Sequence, residues 1–159
     1  MLPDPLVARV ASALPPGRAL DLACGSGRHA LWLAERGWQV TAVDASASSL
    51  AEMKGNAGVD ARVADLEKHE FAIEPEAWDL VLISRYLQRD LFEPAKRGVK
   101  RGGVLIAVVL LEDPANPEGR FRARPGELRS YFEGWEILHD DEGASGDRPI
   151  ASIAGRRTT

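Results

Sequence analysis

Short apolar runs alternate with helix-length amphipathic stretches along almost the whole chain, and this alternation restricts the fold more than any other feature. Residues 18–23 (RALDLA), 38–43 (WQVTAV), 59–63 (VDARV), 78–83 (WDLVLI) and 104–111 (VLIAVVLL) read as strands. The fourth is apolar enough to be covered on both faces, and the fifth is the most hydrophobic strand. Asp4 followed by Pro5 makes a helix start, and Pro15-Pro16-Gly17 stops that helix after Leu14. A second helix follows the first strand and ends at Gly37, and a third runs from Ser46 to residue 55. A fourth, over 88–97, ends in Lys96 and Arg97, which suit the negative end of the helix dipole. A fifth begins at Pro125 and Glu127 and continues through Phe132. Such alternation calls for a mostly parallel sheet with helices on both faces.

The carboxyl end departs from that rule. Two further runs, 135–139 and 150–154, are separated by DDEGASGDRP (140–149), an acidic loop too short for a packed crossover helix. A parallel pair needs a dozen or more connecting residues and a hairpin does not, so these two strands are expected to be antiparallel. The expected architecture is an α/β, doubly wound, seven-stranded and mostly parallel sheet with a C-terminal antiparallel hairpin.

A length of 159 residues is one domain's worth of chain, with no internal repeat or interdomain linker. Residues 1–159 are therefore expected to form a single domain. Twenty basic residues against 24 acidic leave a net charge of −4, which gives no general attraction for nucleic acid or an anionic membrane. Neither is expected as a partner. The lone Cys24 excludes an intramolecular disulfide and a cysteine-rich zinc site, and no metal is expected. No apolar run approaches the ~20 residues of a membrane span. The start MLPDPLVARV lacks the features of a secretory signal, so the cytoplasm is the expected compartment.

The chemistry concentrates in Asp21-Leu-Ala-Cys-Gly25-Ser-Gly27, where the first strand meets the second helix. Glycines there let the backbone approach a ligand, and a doubly wound sheet binds ligands at this carboxyl edge. Asp44 stands 19 residues after Gly25, at the end of the second strand, where its two oxygens can accept both hydroxyls of a ribose. Asp21, four residues before Gly25, selects among nucleoside ligands. A carboxylate suits an ammonium group and repels a pyrophosphate. S-adenosylmethionine brings an amino-acid ammonium and no phosphate, and the antiparallel end also differs from the common NAD-binding sheet.

With these blocks in place, the chain resembles class I S-adenosylmethionine-dependent methyltransferases, with a Rossmann-like fold, and among them the small bacterial tellurite-resistance-type methyltransferases. LDLACGSGRHALWLAERGWQVTAVDAS matches the cofactor-binding block, ADLE (64–67) the adenine-side block and WDLVLISRYLQRDLF the fourth-strand block. KRGGVLI matches the turn and fifth strand, and NPEGRFRARPGEL a segment near the substrate side. The resemblance implies that Asp21 and the backbone around Ala23, Gly25 and Gly27 hold the methionine portion. It further implies that Asp44 binds the ribose, Ala45 flanks it, Asp65 and Leu66 meet the adenine, and Ser84 and Arg85 line the reactive end. The implied reaction is methyl transfer to a small-molecule acceptor, leaving S-adenosylhomocysteine, and the bend alone is shared by many unrelated methyltransferases.

Tyr86, Gln88 and Arg89 follow the fourth strand at the same edge, and either meet substrate or cap and salt-bridge the next helix. Arg120, Arg122 and Arg124 form an alternating basic cluster in an otherwise acidic chain, which would suit an anionic acceptor. Arg124 is the preferred candidate because it lies in the RPGEL match. Arg28 is read equally as a cofactor-carboxylate ligand and as a solvated helix-start residue. Cys24 reads as a small apolar turn residue, since a sulfonium needs no enzyme nucleophile. His29, His69 and His139 lack metal-ligand spacing, and Trp32, Trp38, Trp78 and Trp135 read as packing residues. A soft anionic acceptor needs no general base; a protonated oxygen or nitrogen does, and Tyr86 is the candidate. The amino terminus is short, so a homodimer mate or a partner subunit is an expected cover for the active site. Two other readings are carried: a non-catalytic S-adenosylmethionine-binding module acting through a protein partner, and an NAD-binding domain.

Overall fold

A computed structural model describes residues 2–115, 121–145 and 148–159. The parallel strands are β1 (Arg18–Leu22), β2 (Gln39–Asp44), β3 (Val59–Val63), β4 (Trp78–Ser84) and β5 (Val99–Leu111). A two-residue β6 (Arg122–Ala123) adds to β5 in parallel, and β7 (Glu136–Ser145) and β8 (Arg148–Arg156) complete the sheet. The order is β3-β2-β1-β4-β5-β8-β7, with β8 antiparallel to both β5 and β7. The seven-stranded, mostly parallel sheet with its carboxyl-terminal hairpin is thus present, with β6 as a short addition.

Helices α1 (Pro5–Ser12), α2 (Arg28–Glu35) and α3 (Ala47–Leu50) pack on one face, α4 (Phe92–Gly98) and α5 (Glu127–Ser130) on the other. Period-two alternation feeds both layers. Leu20, Leu22, Val81, Ile83, Leu105 and Ala107 point to the α4 side, whereas Ala19, Leu80, Leu82, Val104 and Ile106 point to the α1 side. Asp21 shares the parity of Ala19, which sends a carboxylate into the α1-side layer at the tip of β1.

Local chemistry fixes the helix starts. Asp4 accepts from the Leu6 N–H at 2.9 Å with Pro5 in the first turn, and Ser46 accepts from the Ser49 N–H at 3.3 Å. The helices are shorter than the patterns suggest. Beyond α3 the chain tightens into a 3-10 turn, Ala51–Met53, and 3-10 turns also precede α4 (Arg89–Leu91) and follow β3 (Leu66–Lys68). No helix of the described residues is long and apolar enough to cross a membrane.

The stretch 140–149 corrects the sequence reading. Residues 140–145 are no loop: they continue β7, with Asp141 opposite Ser152 and Glu142 opposite Ala151. On this outer strand Asp140 meets Arg129, Glu142 accepts the Gly126 N–H and Asp141 is exposed, so the main chain pairs without burying a charge. Residues 146 and 147 lie outside the described residues. At the opposite end, β3 pairs among the described residues only with β2 and carries exposed residues from 60 to 63, among them Val63 at 61% exposure.

Candidate active site

The carboxyl ends of β1, β2 and β4 open into a cleft with two lobes. The β1 lobe, about 490 Å³, is lined by residues including Asp21, Gly25, Arg28, His29, Ser84 and Arg85. The β3 lobe, about 270 Å³, is lined by Ala45, Ala64, Asp65, Leu66, Glu67 and Phe121. Ala23, Asp44 and Tyr86 line both, so the lobes share a waist at the tips of β1, β2 and β4. Two non-glycine residues at this edge, Ala23 (φ 58°) and Arg85 (φ 59°), hold left-handed backbone. Such conformations persist where surrounding structure enforces them, as at binding sites.

Asp21 is 1% exposed, and neither carboxylate oxygen has a hydrogen-bond partner among the described residues. Burial, reinforced by the nearby Asp44 carboxylate and opposed by Arg28, pushes its pKa up to about 7. A buried carboxylate with nothing to bond is costly, and a cationic ligand group in the β1 lobe would satisfy it. Asp44 is arranged in the opposite way. Its Oδ2 accepts from the Gly25 N–H and its Oδ1 from the Ser46 N–H, each at 2.9 Å. One interaction orients each oxygen, and the remaining lone pair of each is left for a ligand at the waist.

Gly25 adopts φ +58°, and a Cβ there would meet open space, so the bend faces the cleft without bulk. Gly27, at φ +92°, is required for a different reason: its Cβ would lie 2.6 Å from Met53 Cγ. Cys24 is half-buried, and burial first, then Asp21 and Asp44, lift its thiol above the ordinary range. It lines the β1 lobe as an un-ionised thiol. His29, also in that lobe, accepts the Asp4 N–H at Nε2 (3.1 Å) and so ties the start of α1 to the cleft. Burial, with Arg28 and Arg85 adding and Asp4 opposing, pushes its pKa down to about 4. His69 faces Asp90 and His139 bridges Arg9 and Ser152, and the described residues contain no group of three or more potential metal ligands.

The structure therefore brings Asp21, Ala23, Gly25, Asp44, Ala45, Asp65, Leu66, Ser84, Arg85 and Tyr86 into one cleft. Asp65 also caps the following 3-10 turn by accepting the Glu67 N–H at 2.9 Å. Gly27 supports the bend from behind. Arg89 and Arg124 line neither lobe: both turn to the buried Glu127. Arg122 donates to the Leu111 carbonyl at 2.8 Å, and Arg120 lies outside the described residues. Ala64 and Glu67 line the β3 lobe as the ends of the ADLE block, whereas Phe121 was not singled out by the sequence reading. Phe121 stands beside the RPGEL segment, and only the fold brings that segment against Tyr86 (ring centroids 5.6 Å apart).

Sheet order, antiparallel hairpin and a cleft across the tips of β1 and β2 define the Rossmann-like fold of S-adenosylmethionine-dependent methyltransferases. A crystal structure of such a methyltransferase from Mesorhizobium loti superposes with a TM-score of 0.75 at 18% identity, covering 94% of this chain and 96% of that one. The family model for the tellurite resistance protein TehB matches residues 5–147, and the chain belongs to the TehB family. The crystal structure of TehB from Haemophilus influenzae aligns with a TM-score of 0.82 at 23% identity, covering 98% of this chain and 63% of that chain. A curated relative, the probable S-adenosyl-L-methionine-dependent methyltransferase TehB of H. influenzae, is 25% identical over 150 residues, covering 86% of this chain and 52% of its own length. The chain thus spans about half the length of the curated TehB relatives it matches.

Proposed function

We propose that this chain binds S-adenosylmethionine in the two-lobed cleft and transfers its methyl group to a small acceptor. The observation that carries the reading is the buried Asp21 carboxylate of the β1 lobe, which has no hydrogen-bond partner among the described residues. It fits the α-ammonium of the methionine portion, and Arg28 in the same lobe fits the carboxylate. Asp44 fits the ribose hydroxyls, and the β3 lobe with Ala45, Asp65 and Leu66 fits the adenine. The family's membership and the named function of its relatives point the same way. When bound, the cofactor supplies a sulfonium-activated methyl group and leaves as S-adenosylhomocysteine.

The chain's own contribution is alignment and exclusion of water from an in-line displacement. Ser84 and Arg85 stand at the reactive end, and Tyr86 donates its hydroxyl proton to Gln88 Oε1 at 2.6 Å. Tyr86 so engaged is no general base, which favours an acceptor that attacks through a free lone pair. An anionic acceptor of that kind agrees with Arg85 at the lobe and with the tellurite-resistance description of the family. Arg89 and Arg124, the acceptor candidates of the sequence, line neither lobe and enter this reading only through the 121–124 segment that they anchor to Glu127. Residues 1–159 are read as one methyltransferase domain acting in the cytoplasm, with a dimer mate or partner subunit over the cleft mouth.

Calorimetry with S-adenosylmethionine, S-adenosylhomocysteine and NADH tests the cofactor. Binding of the first two, lost in Asp21→Ala, is the expected result, and binding of NADH alone overturns it. Turnover on a panel of small anionic acceptors then separates the enzyme from a non-catalytic binding module, which would bind and never turn over.

A further inference from the structure

Glu127 lies outside both lobes, yet it is the most heavily bonded carboxylate among the described residues. Its side chain is 3% exposed. Arg89 grips it with both arms, Nε to Oε2 at 2.7 Å and Nη2 to Oε1 at 3.0 Å. The Tyr131 hydroxyl donates to Oε2, and the Arg124 N–H donates to Oε1 at 3.0 Å. Burial alone would raise its pKa, but the bonds from Arg89, Tyr131 and Arg124 outweigh it and hold the group down at about 2.

These bonds join three segments. Arg89 opens the 3-10 turn between β4 and α4, Arg124 follows β6, and Tyr131 follows α5. Arg89 Nη2 adds a bond to the Arg122 carbonyl at 3.2 Å, and the Glu112 N–H donates to the Ala123 carbonyl at 2.9 Å. Each anchor stands three residues from an aromatic ring of the cleft: Arg89 from Tyr86 and Arg124 from Phe121. The two rings meet at 5.6 Å, and Phe121 lines the adenine lobe from left-handed backbone (φ 59°). Tyr86 is further held by the Gln88 bridge to the Leu66 carbonyl, 3.0 Å from Gln88 Nε2. Phe121 is 38% exposed, so its placement comes from the backbone behind it more than from packing around it.

We propose that Glu127 is a positioning residue for cofactor binding: its carboxylate fastens the 121–124 segment to the loop after β4, and thereby holds Phe121 against Tyr86 as the outer wall of the adenine lobe. The inference rests on the cofactor reading given above. A salt bridge that served stability alone would show no linkage to Phe121; a positioning residue acts through it.

The test is a double-mutant cycle on S-adenosylhomocysteine affinity, measured by calorimetry with wild type, Glu127→Gln, Phe121→Ala and the double variant. Each single change is expected to weaken binding about tenfold, and the double variant to bind no more weakly than the worse single one. In Glu127→Gln the amides of Arg122 and Ala123 should exchange faster with solvent while those of β1 keep their protection. If Glu127→Gln does not fold, Tyr131→Phe, which removes one bond and keeps the ion pair, is expected to weaken binding about threefold and to add nothing to Phe121→Ala. Multiplicative losses in the double variant, or unchanged affinity in the single ones, overturn the inference and leave the cofactor reading standing. Wild-type protein that fails to bind S-adenosylhomocysteine overturns both.

Discussion

Asp21 and Glu127 are both buried carboxylates, and their surroundings could hardly differ more. Among the described residues Asp21 has no partner for either oxygen, and burial pushes its pKa up to about 7; Glu127 is bonded from three segments, which hold its pKa down at about 2. The protein strains to keep the first charged and gains from keeping the second charged. That difference separates a group prepared for something outside the chain from one that has its partners inside it.

The largest effect in this comparison is expected from Glu127→Ala. Breaking a buried pair by removing one partner leaves an uncompensated charge, and with Arg89 half-exposed the loss should be about 3 kcal/mol in urea unfolding. Asp21→Asn should do the reverse to stability. It removes the costly charge, so the ligand-free protein should melt no lower than wild type at pH 8, while affinity for S-adenosylhomocysteine falls about 100-fold. A variant that bound normally would end the distinction between the two carboxylates.

The two groups also predict opposite pH behaviour. Because the folded pKa of Glu127 lies below its ordinary value of 4.5, its stabilising contribution is present above that value and is lost as pH falls toward 2. Asp21 has a folded pKa above its ordinary 3.8, so its contribution is full below 3.8 and disappears as pH rises through 7. A ligand ammonium needs the ionised form, so S-adenosylhomocysteine should bind about tenfold more tightly at pH 8 than at pH 6 in calorimetry, a dependence absent from Asp21→Asn. The smallest effect is expected at Cys24. Its un-ionised thiol should react slowly with iodoacetamide at pH 8, and Cys24→Ala should change affinity by no more than about twofold.

How much of this was legible in the sequence divides along the same line. Asp21, Gly25 and Asp44 could be read because each lies at a strand tip whose position follows from local pattern, and the strand register does the rest. The Glu127 cluster could not, because Arg89 and Glu127 are 38 residues apart and meet only after β4, β6 and α5 have assembled. Arg89 and Arg124 illustrate the cost: a place after the fourth strand made the first a candidate for substrate or a salt bridge, the RPGEL match made the second an acceptor candidate, and the fold directs both to Glu127. The hairpin was legible as a reversal of direction, but its length was not. Acidic residues read as loop, although on an outermost strand nothing prevents them from pairing.

The uncovered edge strand β3 carries one further consequence. Its sequence, VDARV, has the β-branched, apolar character of a segment that recruits like segments, and Val63 stands in water. Asp60 and Arg62, paired at 2.8 Å, interrupt that run with charge at every second position. They act as gatekeepers against stacking of one molecule's rim on the next, so a doubly apolar substitution there should yield a protein that folds and then precipitates.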